Sequence, residues 1–267
     1  MVIPVHDINP LRRVPWVTYG LVAVNIVVFL LTPGSGSVSG ATTARQECRQ
    51  LAFYDRYAAI PTELTHNKAL PLVATGAAEQ VGSHARCFVG PPSYHKVPFL
   101  SAVTSQFVHG GWLHLLGNML FLIIFGNNVE DRIGRVRYVL FYLAAGLIAA
   151  YGFALANPAS REPLLGASGA IAGILGAYLI MFPRAQVWSL IPFFFFIPLR
   201  LPAWLVLGGW FLLQWAYATG AAVSSAGNVA YLAHVIGFAF GLLVGLLIRR
   251  TQGPAAPRVT RLRRPAW

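Results

Sequence analysis

Charge is what this chain has least of. Only 10% of its 267 residues are Asp, Glu, Lys or Arg, where a soluble domain of that size carries about 25%. So few charges cannot clothe a soluble surface, and a surface facing lipid needs none, which excludes the soluble class. Acidic residues are scarcer still, 8 against 20 Lys and Arg, for a net charge of +12. In a soluble protein that excess would point to nucleic acid. Here the basic residues sit at the ends of apolar runs, and Arg249, Arg250, Arg258, Arg261, Arg263 and Arg264 crowd the C-terminal tail. That pattern suits the anionic cytoplasmic leaflet, and nucleic-acid binding is set aside. Cysteine is almost absent. Cys48 and Cys87 both fall in one long polar stretch. They pair if that stretch faces an oxidising compartment, or they remain two free thiols. No histidine is followed by glutamate, so the H-E-x-x-H zinc motif is missing. His66, His84 and His95 match no compact metal spacing, and neither a metal nor a cofactor is expected. No internal repeat pairs the two halves, which argues against a small transporter.

What the chain has in quantity is apolar sequence, 56% of all residues. Hydropathy resolves it into about six runs long enough to span a bilayer as helices. They run roughly from Trp16 to Leu31, Leu100 to Phe125, Tyr138 to Leu155, Ser168 to Phe182, Pro198 to Tyr217 and Val229 to Ile248. The first is followed by Pro33 and lacks a convincing cleavage pattern, so it reads as a retained span rather than a signal peptide. The expected architecture is an all-α polytopic membrane protein, a bundle of six transmembrane helices. Residues 1–15 form a cytoplasmic N-terminal segment and residues 16–250 the membrane domain. A long outer loop occupies about 32–98, and 251–267 form a basic, disordered cytoplasmic tail. Arg12, Arg13, Arg132, Arg135, Arg137, Arg184, Arg200 and the tail arginines fall on one side of this topology. The positive-inside rule then places both termini in the cytoplasm. The run Phe193–Phe196 reads as interfacial, and His6 and Asp7 show no evident role.

In this topology the second, fourth and sixth spans all enter from the outer side, and each carries polar residues near its start. The fourth reads Gly166-Ala167-Ser168-Gly169, with Gly173 and Gly176 following. Gly169, Gly173 and Gly176 fall within about 60° of arc, with Ser168 bordering the stripe. Taken alone, Ser168 is more simply one more small packing residue. On the sixth span His234, Gly237, Gly241 and Gly245 lie within about 80° of arc. Two glycine-faced helices packed together would bring Ser168 against His234. A histidine within a span is a functional candidate, with an interhelical hydrogen bond as the bland alternative. On the second span His114 and Asn118 are one turn apart and can both donate hydrogen bonds. Donors aimed at a developing oxyanion are what acyl transfer requires. His109 points elsewhere, as a structural or water-channel residue, and Ser105 and Gln106 can admit water from the outer end. No acid within the spans lies near His234, so a Ser168–His234 pair is the economical reading.

At these residues the sequence resembles the rhomboid family of intramembrane serine proteases. The motifs are His109…His114…Asn118, Gly166-Ala167-Ser168-Gly169 and Ala233-His234-x-x-Gly237-x-x-x-Gly241. They are joined by Glu130-Asp131-Arg132-Ile133-Gly134 and by Ile60-Pro61-Thr62-Glu63-Leu64. The resemblance runs from the first span to Gly245 and is to bacterial members. It implies a six-helix core with Ser168 and His234 catalytic and His114 and Asn118 stabilising the oxyanion. Gly166, Gly169, Gly173, Gly237 and Gly241 are expected to serve close packing. It further implies a cell-membrane enzyme whose active site opens to the outside and whose substrates are transmembrane proteins cut near their outer ends. Other expected contacts are the bilayer and, through the tail, its anionic inner leaflet; no oligomeric state is implied. Some members place an aromatic residue one turn after the serine, stacked on the histidine. Here that position is Ala172, so support for His234 is absent or comes from elsewhere. The alternative is an inactive relative that binds or escorts membrane clients, which would be expected to have lost the serine or the histidine.

Overall fold

The computed structural model describes residues 3–35, 43–81, 84–191, 197–220 and 229–253. The chain opens on strand β1 (Ile3–Ile8) and the apolar helix α1 (Trp16–Leu31). The long polar segment then folds as α2 (Ala44–Tyr57), α3 (Pro61–His66) and strands β2 (Val73–Val81) and β3 (His84–Gly90). The bundle continues with α4 (Pro98–Thr104), α5 (Trp112–Phe121), α6 (Asn127–Ile133), α7 (Arg135–Ala156) and α8 (Ser168–Met181). Strands β4 (Gln186–Ile191) and β5 (Ile197–Pro202) precede α9 (Ala203–Ala218) and α10 (Tyr231–Gln252).

Among the described residues, three helical stretches are long and apolar enough to cross a membrane: Trp112–Ile133, Arg135–Ala156 and Tyr231–Gln252. Three shorter apolar helices accompany them, α1, α8 and α9. Their outward faces carry large apolar side chains that no soluble protein would leave bare in such number. Leu113 is 87% exposed, Val136 74% and Leu155 73%. The buried side instead holds tyrosines, small residues and a few polar groups, with Tyr138, Tyr142 and Tyr178 fully enclosed.

Hydropathy alone misplaced two helix starts. The second run does not begin near Leu100 as one helix. It breaks after a 3-10 turn at Ser105–Phe107, and Gly110 and Gly111 precede the true helix start at Trp112. Adjacent glycines raise the cost of a continuous helix, and apolar composition is blind to that cost. The helix then passes through a π turn at Leu122–Gly126 into α6. The fifth run likewise loses its first residues to β5, whose Pro198 and Pro202 suit an edge strand.

Among the described residues, two small antiparallel sheets supplement the helices, one of order β1-β4-β5 and one of β2-β3. The N-terminal segment is therefore built into the fold. Asp7 on β1 is buried and accepts hydrogen bonds from Asn128 Nδ2 (2.8 Å) and Tyr178 OH (2.7 Å), the role its sequence context concealed. Nearby, buried Glu130 accepts from the Val17 and Thr18 amides and from Thr18 Oγ1. It thus satisfies first-turn donors of α1 that no residue of α1 could. Asp131 accepts from the Arg12 and Arg13 amides.

The polar segment is an ordered unit. A capping box of Thr43 and Gln46 starts α2, and Cys48 and Cys87 form a disulfide between α2 and β3. Lys96 and Glu63 make a 2.6 Å ion pair with side chains 3% and 0% exposed. Lys96 also donates to the Asp55 carbonyl, and Glu63 accepts from the Leu70 amide. Burial, opposed by the Glu63 carboxylate, pushes the Lys96 ammonium below its usual range. This unit reaches the bundle through backbone bonds from Leu164 to Ala59 (2.7 Å) and from Thr62 to Ser160 (3.0 Å). It therefore braces the loop that leads into Ser168. The residues beyond Gly253 and the Phe193–Phe196 run lie outside the described residues.

Candidate active site

Ser168 is the first residue of α8. Gly166 just before it holds φ at +106°, a conformation L side chains rarely adopt, and this turns the chain sharply into the helix. Its amide donates to the Ser105 carbonyl (3.0 Å). The same glycine is also a cradle. A Cβ there would sit 2.6 Å from His114 Nε2 and 3.3 Å from Asn118 Nδ2. Two potential oxyanion donors thus converge two residues before Ser168. Gly166 thus faces these two side-chain donors, where Gly237 and Gly241 face the backbone of a neighbouring helix.

The helical glycines bring α8 and α10 together. A Cβ on Gly237 would run into the Gly169 carbonyl oxygen, and one on Gly241 into the Gly173 carbonyl oxygen. A Cβ on Gly169 or Gly173 would press on Ala149 or Ala145 of α7. With backbones this close, His234 reaches across from the first turn of α10. Its Nε2 lies 2.8 Å from Ser168 Oγ. Its Nδ1 lies 2.8 Å from Oε1 of Gln214 on α9.

Asn118 is likewise positioned. His109 lies 3.3 Å from the Phe107 carbonyl through Nδ1, and its Nε2 is 2.9 Å from Asn118 Nδ2. A carbonyl only accepts, so Nδ1 carries the proton and Nε2 accepts from the amide. This leaves Asn118 one further N–H. His109 is fully buried and packs edge-on against His114, with ring centroids 5.0 Å apart. It is an orienting partner of Asn118, not a residue of the water path.

These groups surround one cavity of about 1030 Å³, lined by Ser168, His234, His114, Asn118, Gln106 and Gln214 among others. Ser105 also lines it, and Gln106 is held by the Ala102 and Leu143 carbonyls (3.1 and 3.4 Å). Among the described residues no group of three His, Cys, Asp or Glu side chains is arranged to hold a metal ion.

Sequence reasoning missed two residues here, Gln214 and the orienting role of His109. Gln214 left a signal, as the one carboxamide in the otherwise apolar run Ala203–Ala218. His109 left none, because a continuous helix through Gly110 and Gly111 would have turned it away from Asn118.

Residues 98–251, more than half of the chain, match the family profile of the Rhomboid domain. The match begins at Pro98, so α1 and the disulfide-bonded unit precede it. Rhomboid protein 1, mitochondrial, of Saccharomyces cerevisiae is 31% identical over 155 residues, 57% of this chain and 42% of that protein. RHOMBOID-like protein 1 of Arabidopsis thaliana is 30% identical over 167 residues, 62% of this chain and 39% of that protein. Rhomboid-type serine protease 2 of Emericella nidulans is 27% identical over 165 residues, 61% of this chain and 29% of that protein. The chain spans less than half the length of each of these relatives.

Proposed function

The chain belongs to the rhomboid family, and on that premise we propose that it is an intramembrane serine endopeptidase acting through Ser168 and His234. One observation carries the proposal: a serine hydroxyl 2.8 Å from a histidine nitrogen, in a cavity that also receives His114 and Asn118. Packing alone would need none of these polar groups inside an apolar bundle.

The mechanism follows from the donors and acceptors available. Ser168 Oγ attacks the scissile carbonyl carbon while His234 Nε2 takes its proton. The carbonyl π bond opens to an oxyanion. The free N–H of Asn118, a ring N–H of His114 and the Ser168 amide are placed to stabilise it. The Ser168 amide is available because the first amides of a helix have no partner within it. The imidazolium then protonates the leaving amine as the C–N bond breaks. A water entering past Ser105 and Gln106 gives its proton to His234 and hydrolyses the acyl ester.

The proposed substrates are transmembrane proteins cut near their outer ends, with the protein in the cell membrane and both termini cytoplasmic. The disulfide between Cys48 and Cys87 supports an outward-facing polar unit, since such bonds persist in oxidising compartments. Arg12, Arg13, Arg132, Arg135 and Arg137 support an inward placement of the opposite end. The span count of six and the contact of the arginine-rich tail with the anionic inner leaflet belong to the same proposal.

Labelling with a fluorophosphonate tests the nucleophile directly. Wild type is expected to label and Ser168→Ala not. Equal labelling of a folded Ser168→Ala variant would refute the assignment. A folded wild type that does not label would favour the client-binding alternative.

A further inference from the structure

We infer that Gln214 is the positioning residue that holds His234 in the tautomer the reaction needs; the inference rests on Ser168 and His234 being the reacting pair. An amide oxygen can only accept a hydrogen bond. With Gln214 Oε1 2.8 Å from Nδ1, that nitrogen carries the ring proton. Nε2 is then unprotonated and faces Ser168 Oγ, also at 2.8 Å. This is the only neutral arrangement in which His234 can take the serine proton. The opposite tautomer would present an N–H to the hydroxyl and could not act as a base.

The environment argues for a role beyond filling space. Gln214 lies on α9 between Leu212 and Trp215, which are 66% and 52% exposed on the apolar outer surface. An amide turned into an apolar bundle is costly unless it is bonded there. Trp210, one turn earlier and so on the same face of α9, brings its ring centroid to 6.1 Å from that of His234. One helix therefore supplies both the orienting bond and an aromatic wall. On α8 the residue one turn after Ser168 is Ala172, which offers no ring. The base is thus held by a third helix, distinct from those carrying the nucleophile and the base.

The test uses the full chain in liposomes, with Gln214→Met and Gln214→Glu compared with wild type. The readouts are the rate of fluorophosphonate labelling, kcat and KM for a transmembrane peptide substrate, the pH profile, and thermal unfolding. Gln214→Met is expected to lower labelling rate and kcat by about ten- to a hundredfold while KM holds. Gln214→Glu keeps the acceptor, so it is expected to recover much of the rate. Its acid limb should move to higher pH, because a carboxylate favours the imidazolium. The other titratable groups lining the cavity among the described residues, His114, Glu162 and Tyr231, are the same in every variant. A Gln214→Met variant as fast as wild type overturns the inference. So does equal loss in both variants with an unmoved pH profile, which would mark a purely structural role. A folded wild type that neither labels nor cuts overturns the Ser168–His234 reading first, and this inference with it.

Discussion

Replacing Gly237 with alanine asks how tightly the proposed catalytic geometry depends on the contact between α8 and α10. The added Cβ would overlap the Gly169 carbonyl oxygen and lie 3.2 Å from its carbon. Non-bonded carbon contacts relax at about 3.5–4.0 Å, so the helices must part locally by about 1 Å. Gly169 follows Ser168 directly, and His234 lies one turn before Gly237. The separation therefore falls on the hydrogen bond itself and stretches 2.8 Å to roughly 3.8 Å, outside hydrogen-bonding range. A misplacement of about 1 Å in a reacting group costs on the order of a hundredfold in rate. Overpacking of this kind costs about 1–3 kcal/mol of stability. The assay pairs substrate cleavage with thermal unfolding in detergent. Gly208→Ala is the control, because a Cβ there meets nothing within 4 Å. Expected is a folded Gly237→Ala protein with a strongly reduced kcat beside an undisturbed Gly208→Ala. Undiminished cleavage by Gly237→Ala would refute the view that glycine contacts set the distance between serine and histidine.

Two further outcomes follow from the same structure. Asn118→Ala removes a proposed oxyanion donor and should lower kcat by about a hundredfold with little change in KM, as steady-state kinetics would show. Lys96→Met leaves Glu63 buried without its partner and should cost about 3–5 kcal/mol, seen as a lower unfolding temperature. Combining it with Glu63→Gln should restore much of the loss.

The features legible in the sequence were those set by local periodicity. The α1 limits coincide with the first apolar run, and α8 begins at Ser168, because both are fixed by nearby residues: Leu31 before Pro33, and Gly166 before the serine. The glycine stripes of α8 and α10 could be read from spacing, since small residues at three- and four-residue intervals define a face. What spacing could not supply was partnership between distant segments. Gln214 and His234 are 20 positions apart on separate helices, and nothing local marks them as a pair. His109 meets Asn118 because the chain bends at Gly110 and Gly111, a backbone event that hydropathy does not register. Asp7 finds Tyr178 across 171 positions, through a strand too short and too polar in context to stand out. The β4–β5 pair hid in an apolar stretch that reads equally well as the entry to α9. Periodicity cannot separate short buried strands from helix ends. The Ile60–Leu64 segment was visible as a motif. Its work, bonding the loop before Ser168 through Thr62 and the adjoining Ala59, required the three-dimensional path.

Ser168 and His234 are proposed to perform peptide hydrolysis together within the membrane. The most direct measurement is cleavage of a transmembrane substrate by the purified protein in liposomes, comparing wild type with folded Ser168→Ala and His234→Ala variants. A product band is expected from wild type and none above background from either variant. Cleavage by Ser168→Ala at the wild-type rate would contradict that proposal.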